Sequence, residues 1–222
     1  VGIEDQQKLA DSRMLIIGMG GLGSPVAMYL AAAGIGELIL VDDDVVDLSN
    51  LQRQIAHSTA DIGRPKVESA QQRVQALNPE CRITCIDHRL DQAALAEQAR
   101  QVDVIIDACD NFETRFMVNA ACVQTRTPLV SGAAIRLEGQ VAVFRNDLDN
   151  SPCYHCLKTL MNTGIKRICY LKPYKIDRIT HLEEEGLKAR VRALDSTPAV
   201  FVSAPRPDTL HRILDTMKAR LR

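Results

Sequence analysis

The residues best suited to chemistry lie in a short loop, Gly18-Met19-Gly20-Gly21-Leu22-Gly23, and in a few polar groups that follow it. The loop is a G-x-G-x-x-G joining an apolar run, Arg13 to Ile17, to a helical stretch, Ser24 to Ala33. Glycines there permit a tight turn and let backbone N–H groups approach a phosphate at the positive end of the helix. Alone the pattern is weak. It gains from Asp42, which follows the next apolar run, Glu37 to Val41, and stands about 20 residues on, where a ribose-binding carboxylate belongs. Glycines that serve only close helix–strand packing are the structural alternative. Together the residues read as a nucleotide site.

The plain reading of such a loop is NAD and an oxidoreductase. A Walker loop is excluded, because Ser24-Pro25 stands where a Lys-Ser/Thr pair would be required. Against NAD stand Asn50, Arg53 and Lys66, which lie just beyond the second strand and could converge on a polyphosphate. Either cation alone reads as a solvated side chain; grouped beside a glycine loop they favour ATP. Asp110 follows the strand Val102 to Asp107, at the sheet edge where doubly wound folds place ligands. A carboxylate there can hold Mg²⁺, which prefers oxygen ligands and bridges substrate phosphates, and a triphosphate being cleaved needs that ion.

These groups need elements to hold them. Beyond the first two strands, a helix opens near Pro65 and carries Val67, Ala70, Val74 and Leu77 as one stripe. Strands are expected at Arg82 to Ile86, Val102 to Asp107, Pro128 to Ser131 and Gly139 to Arg145, with helices at Asp91 to Arg100 and Glu113 to Thr125. Strands alternating with helices at this spacing imply right-handed crossovers and a doubly wound, largely parallel α/β sheet of the Rossmann type. After Cys156 the texture changes: a strand at Ile165 to Leu171, an acidic helix at Asp177 to Leu187, a strand at Arg190 to Leu194, and a terminal helix capped by Asp208 after Pro205 and Pro207.

Composition bounds the function. The 222 residues carry a formal net charge of −1, with 46% hydrophobic and 25% charged residues, an ordinary globular mixture. Near-neutral charge, 4% aromatics and no Trp give no reason to expect a nucleic-acid partner. No apolar stretch approaches the ~20 residues of a membrane span, and the polar opening VGIEDQQK does not read as a signal peptide, so a cytoplasmic, membrane-free location is expected. Of seven cysteines, Cys81, Cys85, Cys109 and Cys122 sit in apolar runs and read as reduced, buried thiols. Only Cys153-Tyr154-His155-Cys156 has metal-ligand spacing.

The runs GMGGLGSPVAMYLAAAGIG, DLSNLQRQ, GRPKVESA, DACDN and LVSGAAIRLEGQ, in this order, resemble the ThiF/MoeB/HesA family, bacterial relatives of ubiquitin-activating enzymes. The resemblance covers Gly2 to about Leu157 and is nearest the molybdopterin-synthase adenylyltransferase branch; residues 158–222 do not share it. It implies an ATP-binding adenylation domain over residues 1–157, followed by an atypical extension over 158–222. The implied reaction is ATP-dependent adenylation of the C-terminal glycine of a ubiquitin-like sulfur carrier ending in Gly-Gly, for molybdopterin and hence molybdenum cofactor synthesis. A thiamin-pathway carrier and a nucleotide-binding scaffold without activity are the alternatives. On this resemblance Gly18, Gly20, Gly21 and Gly23 shape the loop, Asp42 holds the ribose, Asn50, Arg53 and Lys66 contact the phosphates, and Asp110 holds Mg²⁺. Arg53, Lys66 and Asp110 then carry catalysis, in a homodimer.

The chain also departs from that family. Its members carry an arginine ahead of the first strand that reaches the partner's nucleotide; no arginine precedes Arg13 in this sequence, a departure that leaves that contact unassigned. Cys153-x-x-Cys156 resembles half of a structural zinc site, but a second C-x-x-C is absent; Cys169 with His181 or His211 would have to complete the four ligands, and zinc is not favoured. Cys169 lies about where the family has a cysteine on a mobile loop, yet its flanks read as a buried strand. The tail resembles the P-C-x-x-C half of zinc deaminases, whose H-x-E comes first; here His181-Leu182-Glu183 comes after, which disfavours deamination.

Overall fold

The computed structural model describes residues 2–135, 138–148, 168–169 and 200–201. By compactness the chain divides into two units, Val1–Asp147 and Leu148–Arg222. The expected division after Leu157, the expected helices beyond it and the candidate zinc ligands Cys153, Cys156, His181 and His211 fall outside the described residues.

The first unit runs α1 (Ile3–Asp11), β1 (Arg13–Ile17), α2 (Gly23–Ala32), β2 (Glu37–Val41), α3 (Lys66–Leu77), β3 (Arg82–Ile86), α4 (Gln92–Ala99), β4 (Val104–Asp107), α5 (Phe112–Thr125), β5 (Leu129–Ile135) and β6 (Glu138–Phe144). The strands form one six-stranded sheet in the order β3-β2-β1-β4-β5-β6. Every pairing is parallel except β5 with β6. This is the doubly wound α/β sheet expected from the alternation of elements. The later strands β7 (Ile168–Cys169) and β8 (Val200–Phe201) pair in parallel with each other; β7 lies within the strand expected at Ile165 to Leu171.

The central strands are apolar because both faces of the sheet are covered. On one face Ile16, Leu38, Leu40 and Ile106 meet Ala27 and Ala31 of α2 and Val67, Ala70 and Val74 of α3 in one buried cluster. Three members of the α3 stripe are therefore core; the fourth, Leu77, is 48% exposed. Leu15, Ile39 and Ile105, in register with one another, are buried as well, while α4 and α5 pack on each other and α5 on β4. Pro65 precedes α3 as its cap instead of opening it. The helix α1 was not expected: Ile3–Asp11 buries no residue fully, and Leu9, half-buried against the core, is too little apolar surface to mark a helix by period.

The order reverses between β1 and β4. The chain leaves β1 toward β2 and β3 on one side, then returns to β4 and moves toward β5 and β6 on the other. Loops at the carboxyl ends of β1 and β4 therefore diverge around a crevice, the place where open α/β sheets bind ligands.

Candidate functional site

The loop after β1 forms one wall of that crevice. Gly18 adopts φ +95, a left-handed conformation, and its N–H donates to Val41 O at 2.8 Å. A Cβ on Gly18 would meet Ala108 O at 2.9 Å, so this turn touches the turn after β4 directly. A Cβ on Gly23 would fall 1.7 Å from Gly18 O, so the first residue of α2 lies on the Gly18 peptide. The stem of Arg53 lies over Gly21, with Cγ 3.3 Å from where a Cβ would be. Among the described residues the N–H groups of Gly20, Gly21 and Leu22 have no acceptor. The first turn of α2 carries no acidic residue, leaving the positive end of the helix without a neutralising charge.

Asp42, expected at the ribose, is already engaged. Its Oδ2 accepts from Met19 N at 2.6 Å and its Oδ1 from Asp44 N at 2.9 Å. Burial pushes its carboxyl above the usual value, and the two N–H bonds together with the Lys66 charge pull the other way. Its first task here is to hold the loop, and any ribose contact shares these oxygens. The opposite end of Met19 is held too: its carbonyl accepts from Ser24 Oγ at 3.1 Å and from His57 Nε2 at 3.0 Å.

The expected phosphate groups divide by burial. Arg53 is exposed; its backbone N–H donates to Asn50 O at 3.2 Å, and its guanidinium has no hydrogen bond or ion pair among the described residues. Lys66, at the head of α3, is only 5% exposed and donates to Asp44 Oδ2 at 2.6 Å, so it is not the solvated side chain that spacing alone would suggest. Asn50 ends a short helical turn, Leu48–Asn50, where its Oδ1 accepts from Gln54 Nε2 at 2.7 Å. Asp110 is exposed beyond β4, just before Asn111, whose side chain caps α5 by accepting from Thr114 N.

Two carboxylate groups could hold a cation. Asp42, Asp43 and Asp44 have oxygens within 4.8 Å of one another, but Arg89 pairs with Asp43 at 2.8 Å, Lys66 with Asp44, and backbone N–H groups with Asp42. That cluster is already compensated. Asp110 has no hydrogen bond or ion pair among the described residues, so both its oxygens are free. Its oxygen chemistry and its place beside the loop fit Mg²⁺. The possible zinc ligands Cys153 and Cys156 lie outside the described residues.

Sequence reasoning missed two buried assemblies. Asp107, fully buried at the end of β4, accepts from Ser131 Oγ at 2.8 Å and Cys109 N at 3.1 Å and pairs with Arg115 at 3.2 Å. Arg115 also donates to Ser131 Oγ and to the carbonyls of Cys109 and Gly132. The signal was an Arg on the same helical stripe as Val118, Asn119 and Cys122, all buried. The second is His57, 6% exposed, bonded through Nδ1 to Ser69 Oγ at 2.9 Å; no motif marks it. The four cysteines read as buried thiols are free; Cys81, Cys109 and Cys122 are buried and Cys85 is half-buried. Burial pushes Cys85 up to about 11 and Cys109 and Cys122 up to about 12.

The family described as "ThiF family" matches residues 1–214. A molybdopterin-synthase adenylyltransferase of Escherichia coli (strain K12) is 50% identical over 157 residues, 71% of this chain and 63% of its own length. The sulfur carrier protein ThiS adenylyltransferase of the same organism is 48% identical over 157 residues, 71% of this chain and 62% of its own length. The chain thus spans less than two thirds of either relative. Among solved structures, E. coli tRNA N6-threonylcarbamoyladenosine dehydratase, TcdA, in complex with AMP aligns with TM-score 0.57 and 33% identity, covering 61% of this chain and 57% of that one. No helix among the described residues is long and apolar enough to cross a membrane.

Proposed function

We propose, from the premise that this chain belongs to the ThiF family, that it activates a carboxylate by adenylation. The substrate is the C-terminal glycine of a ubiquitin-like sulfur carrier. The observation that carries this reading is the set of acceptor-free N–H groups of Gly20, Gly21 and Leu22, at the head of α2 and at the switch between β1 and β4. These donors suit an anionic phosphate. Relatives named molybdopterin-synthase adenylyltransferase and sulfur carrier protein ThiS adenylyltransferase, at 50% and 48% identity, support it.

In the proposed reaction a carboxylate oxygen of the carrier forms a bond to the α-phosphorus of ATP. The bond to the bridging oxygen breaks, and pyrophosphate leaves with the electron pair. Mg²⁺ held by Asp110 would neutralise phosphate charge. The protein does no covalent work; it positions and compensates charge. Gly18, Gly20, Gly21 and Gly23 bring the backbone close to the phosphates. Arg53, exposed and unpaired among the described residues, swings to the phosphate oxygens without first breaking a bond. Lys66 shares its charge between Asp44 and the nucleotide. Asp42 adds a ribose contact to its hold on the loop. The working assembly is a cytoplasmic homodimer, and the site lies within residues 1–157.

ATP–pyrophosphate exchange tests this. Exchange that requires both Mg²⁺ and a carrier ending in Gly-Gly is expected, and a molybdopterin-type carrier should support it better than a thiamin-type carrier. ATP binding without exchange under any of these conditions would make the chain a nucleotide-binding scaffold. NAD binding in place of ATP would restore the oxidoreductase reading.

A further inference from the structure

Met19 is the one large side chain at the start of the glycine loop, and it is fully buried in the core cluster. Both of its peptide groups are held by side chains from other segments. Asp42, beyond β2, takes its N–H; Ser24 of α2 and His57 take its carbonyl. The carbonyl of Met19 and the N–H of Gly20 belong to one planar trans peptide, so they point in opposite directions. Drawing the carbonyl inward toward His57 therefore turns the Gly20 N–H outward, away from the protein interior. A flip of that peptide would present a carbonyl oxygen where a donor stands.

We propose that His57 is a positioning residue for the nucleotide loop: its Nε2–H, with Ser24 Oγ–H, anchors the Met19 carbonyl and so fixes the outward direction of the Gly20 N–H. The inference rests on the reading of this loop as a phosphate site.

The surroundings of His57 suit that task. The Met19 carbonyl can only accept, so Nε2 carries the proton. Nδ1 then accepts from the Ser69 hydroxyl at 2.9 Å, which fixes the tautomer from the α3 side. Burial pushes the imidazole below its usual value, the Met19 carbonyl pulls it back up, and the Lys66 cation lowers it further, while Asp61 and Asp42 raise it. These are the charged groups that face it, and the neutral ring follows from their balance. Three segments thus meet on the two peptides that flank Met19: Asp42 beyond β2 on its N–H side, and on its carbonyl side Ser24 at the head of α2 and the segment carrying His57, which Ser69 of α3 holds in turn.

The test is calorimetric titration of the full chain with Mg²⁺ and the ATP analogue AMP-PNP. His57→Leu should weaken binding about tenfold, the effect of one lost buried hydrogen bond, with stoichiometry unchanged. His57→Gln, whose amide N–H still reaches the carbonyl, should recover most of that loss, and Ser69→Ala should cost about threefold. A structural role alone would lower the stoichiometry and leave the dissociation constant of the folded fraction untouched, and that outcome overturns the proposal. Should His57→Leu not fold, the ordering of wild type, His57→Gln and Ser69→Ala decides. A second readout needs no nucleotide: relative to wild type, Gly20 and Gly21 amide resonances should broaden in Ser69→Ala and His57→Leu, and in His57→Gln they should be sharper than in His57→Leu. Unchanged resonances refute the anchoring role. Absence of AMP-PNP binding by the wild type would instead refute the phosphate reading, with the resonances still deciding the role of His57.

Discussion

At the residue scale the site separates groups that face solvent from groups that hold the frame. Asp110 is exposed and unpaired among the described residues, so its removal should cost little stability and most of the activity. Asp110→Ala is expected to leave the urea midpoint nearly unchanged and to abolish carrier-dependent exchange; normal exchange would remove Asp110 from the mechanism. Arg115 and Asp107 make the reverse case. Their side chains are 7% and 0% exposed, and removing one partner strands a buried charge, at about 3–5 kcal/mol. Asp107→Ala should therefore lower unfolding free energy by that amount, measured by urea titration, whereas replacing both residues with apolar ones should cost less. The buried thiols Cys109 and Cys122, pushed up to about 12, should resist alkylation at pH 8 until the protein is denatured.

At the element scale the helix heads matter most. Asn111 caps α5 through Thr114 N at 2.9 Å, and Asp110 is its immediate neighbour. Asn111→Ala should cost about 1 kcal/mol. It should also weaken exchange more than that stability loss explains, since the turn bearing Asp110 loses its anchor; a stability loss alone would confine Asn111 to capping. Gly23 is the tighter constraint. A methyl there would overlap the Gly18 carbonyl at 1.7 Å, so Gly23→Ala must push α2 away from β1 and should eliminate nucleotide binding. Many boundaries were legible: β1, β2 and β3 match their expected ranges, the first two because short apolar runs between turn residues have one solution in a buried parallel sheet. The third, a half-exposed edge strand, was legible because Ile83 and Cys85 alternate with exposed residues. β5 extends to Ile135, past Ser131, because its antiparallel partner β6 supplies pairing that no local pattern announces. The helix α1 was illegible for the opposite reason: it buries no residue fully, and Leu9 alone of its side chains packs against the core cluster.

For the molecule as a whole, acid sensitivity follows from the sign of the shifts. The folded-state value of His57 lies below its ordinary 6.5, so its stabilising contribution is complete above that pH and is lost as pH falls below it. Asp61, held low mainly by the Ser58 hydroxyl, loses its contribution only below its ordinary 3.8. Asp42 is raised, so it favours the folded state at low pH and opposes that loss. The urea midpoint should therefore decline from pH 7 to pH 5.5 in the wild type and decline less in His57→Gln. An equal decline in both would place the titrating group elsewhere.

The amino-acid sequence by itself determined the α/β class, the strand–loop–helix around Gly18 to Gly23, and the residue types gathered near it. Periodicity and glycine spacing are local, and local order survives without knowing what packs where. Tertiary structure alone decided what each charged group does. Asp42 stands where a ribose carboxylate belongs, yet the folded chain also ties it to Met19 N. Lys66 and Arg53 look alike in the sequence, but one is buried against Asp44 and the other is exposed. His57, Asp107 and Arg115 carry no motif, because their partners lie on other elements and become neighbours only when the sheet closes. A hydrogen bond is made between atoms in space, and spacing along the chain does not say which ones will meet.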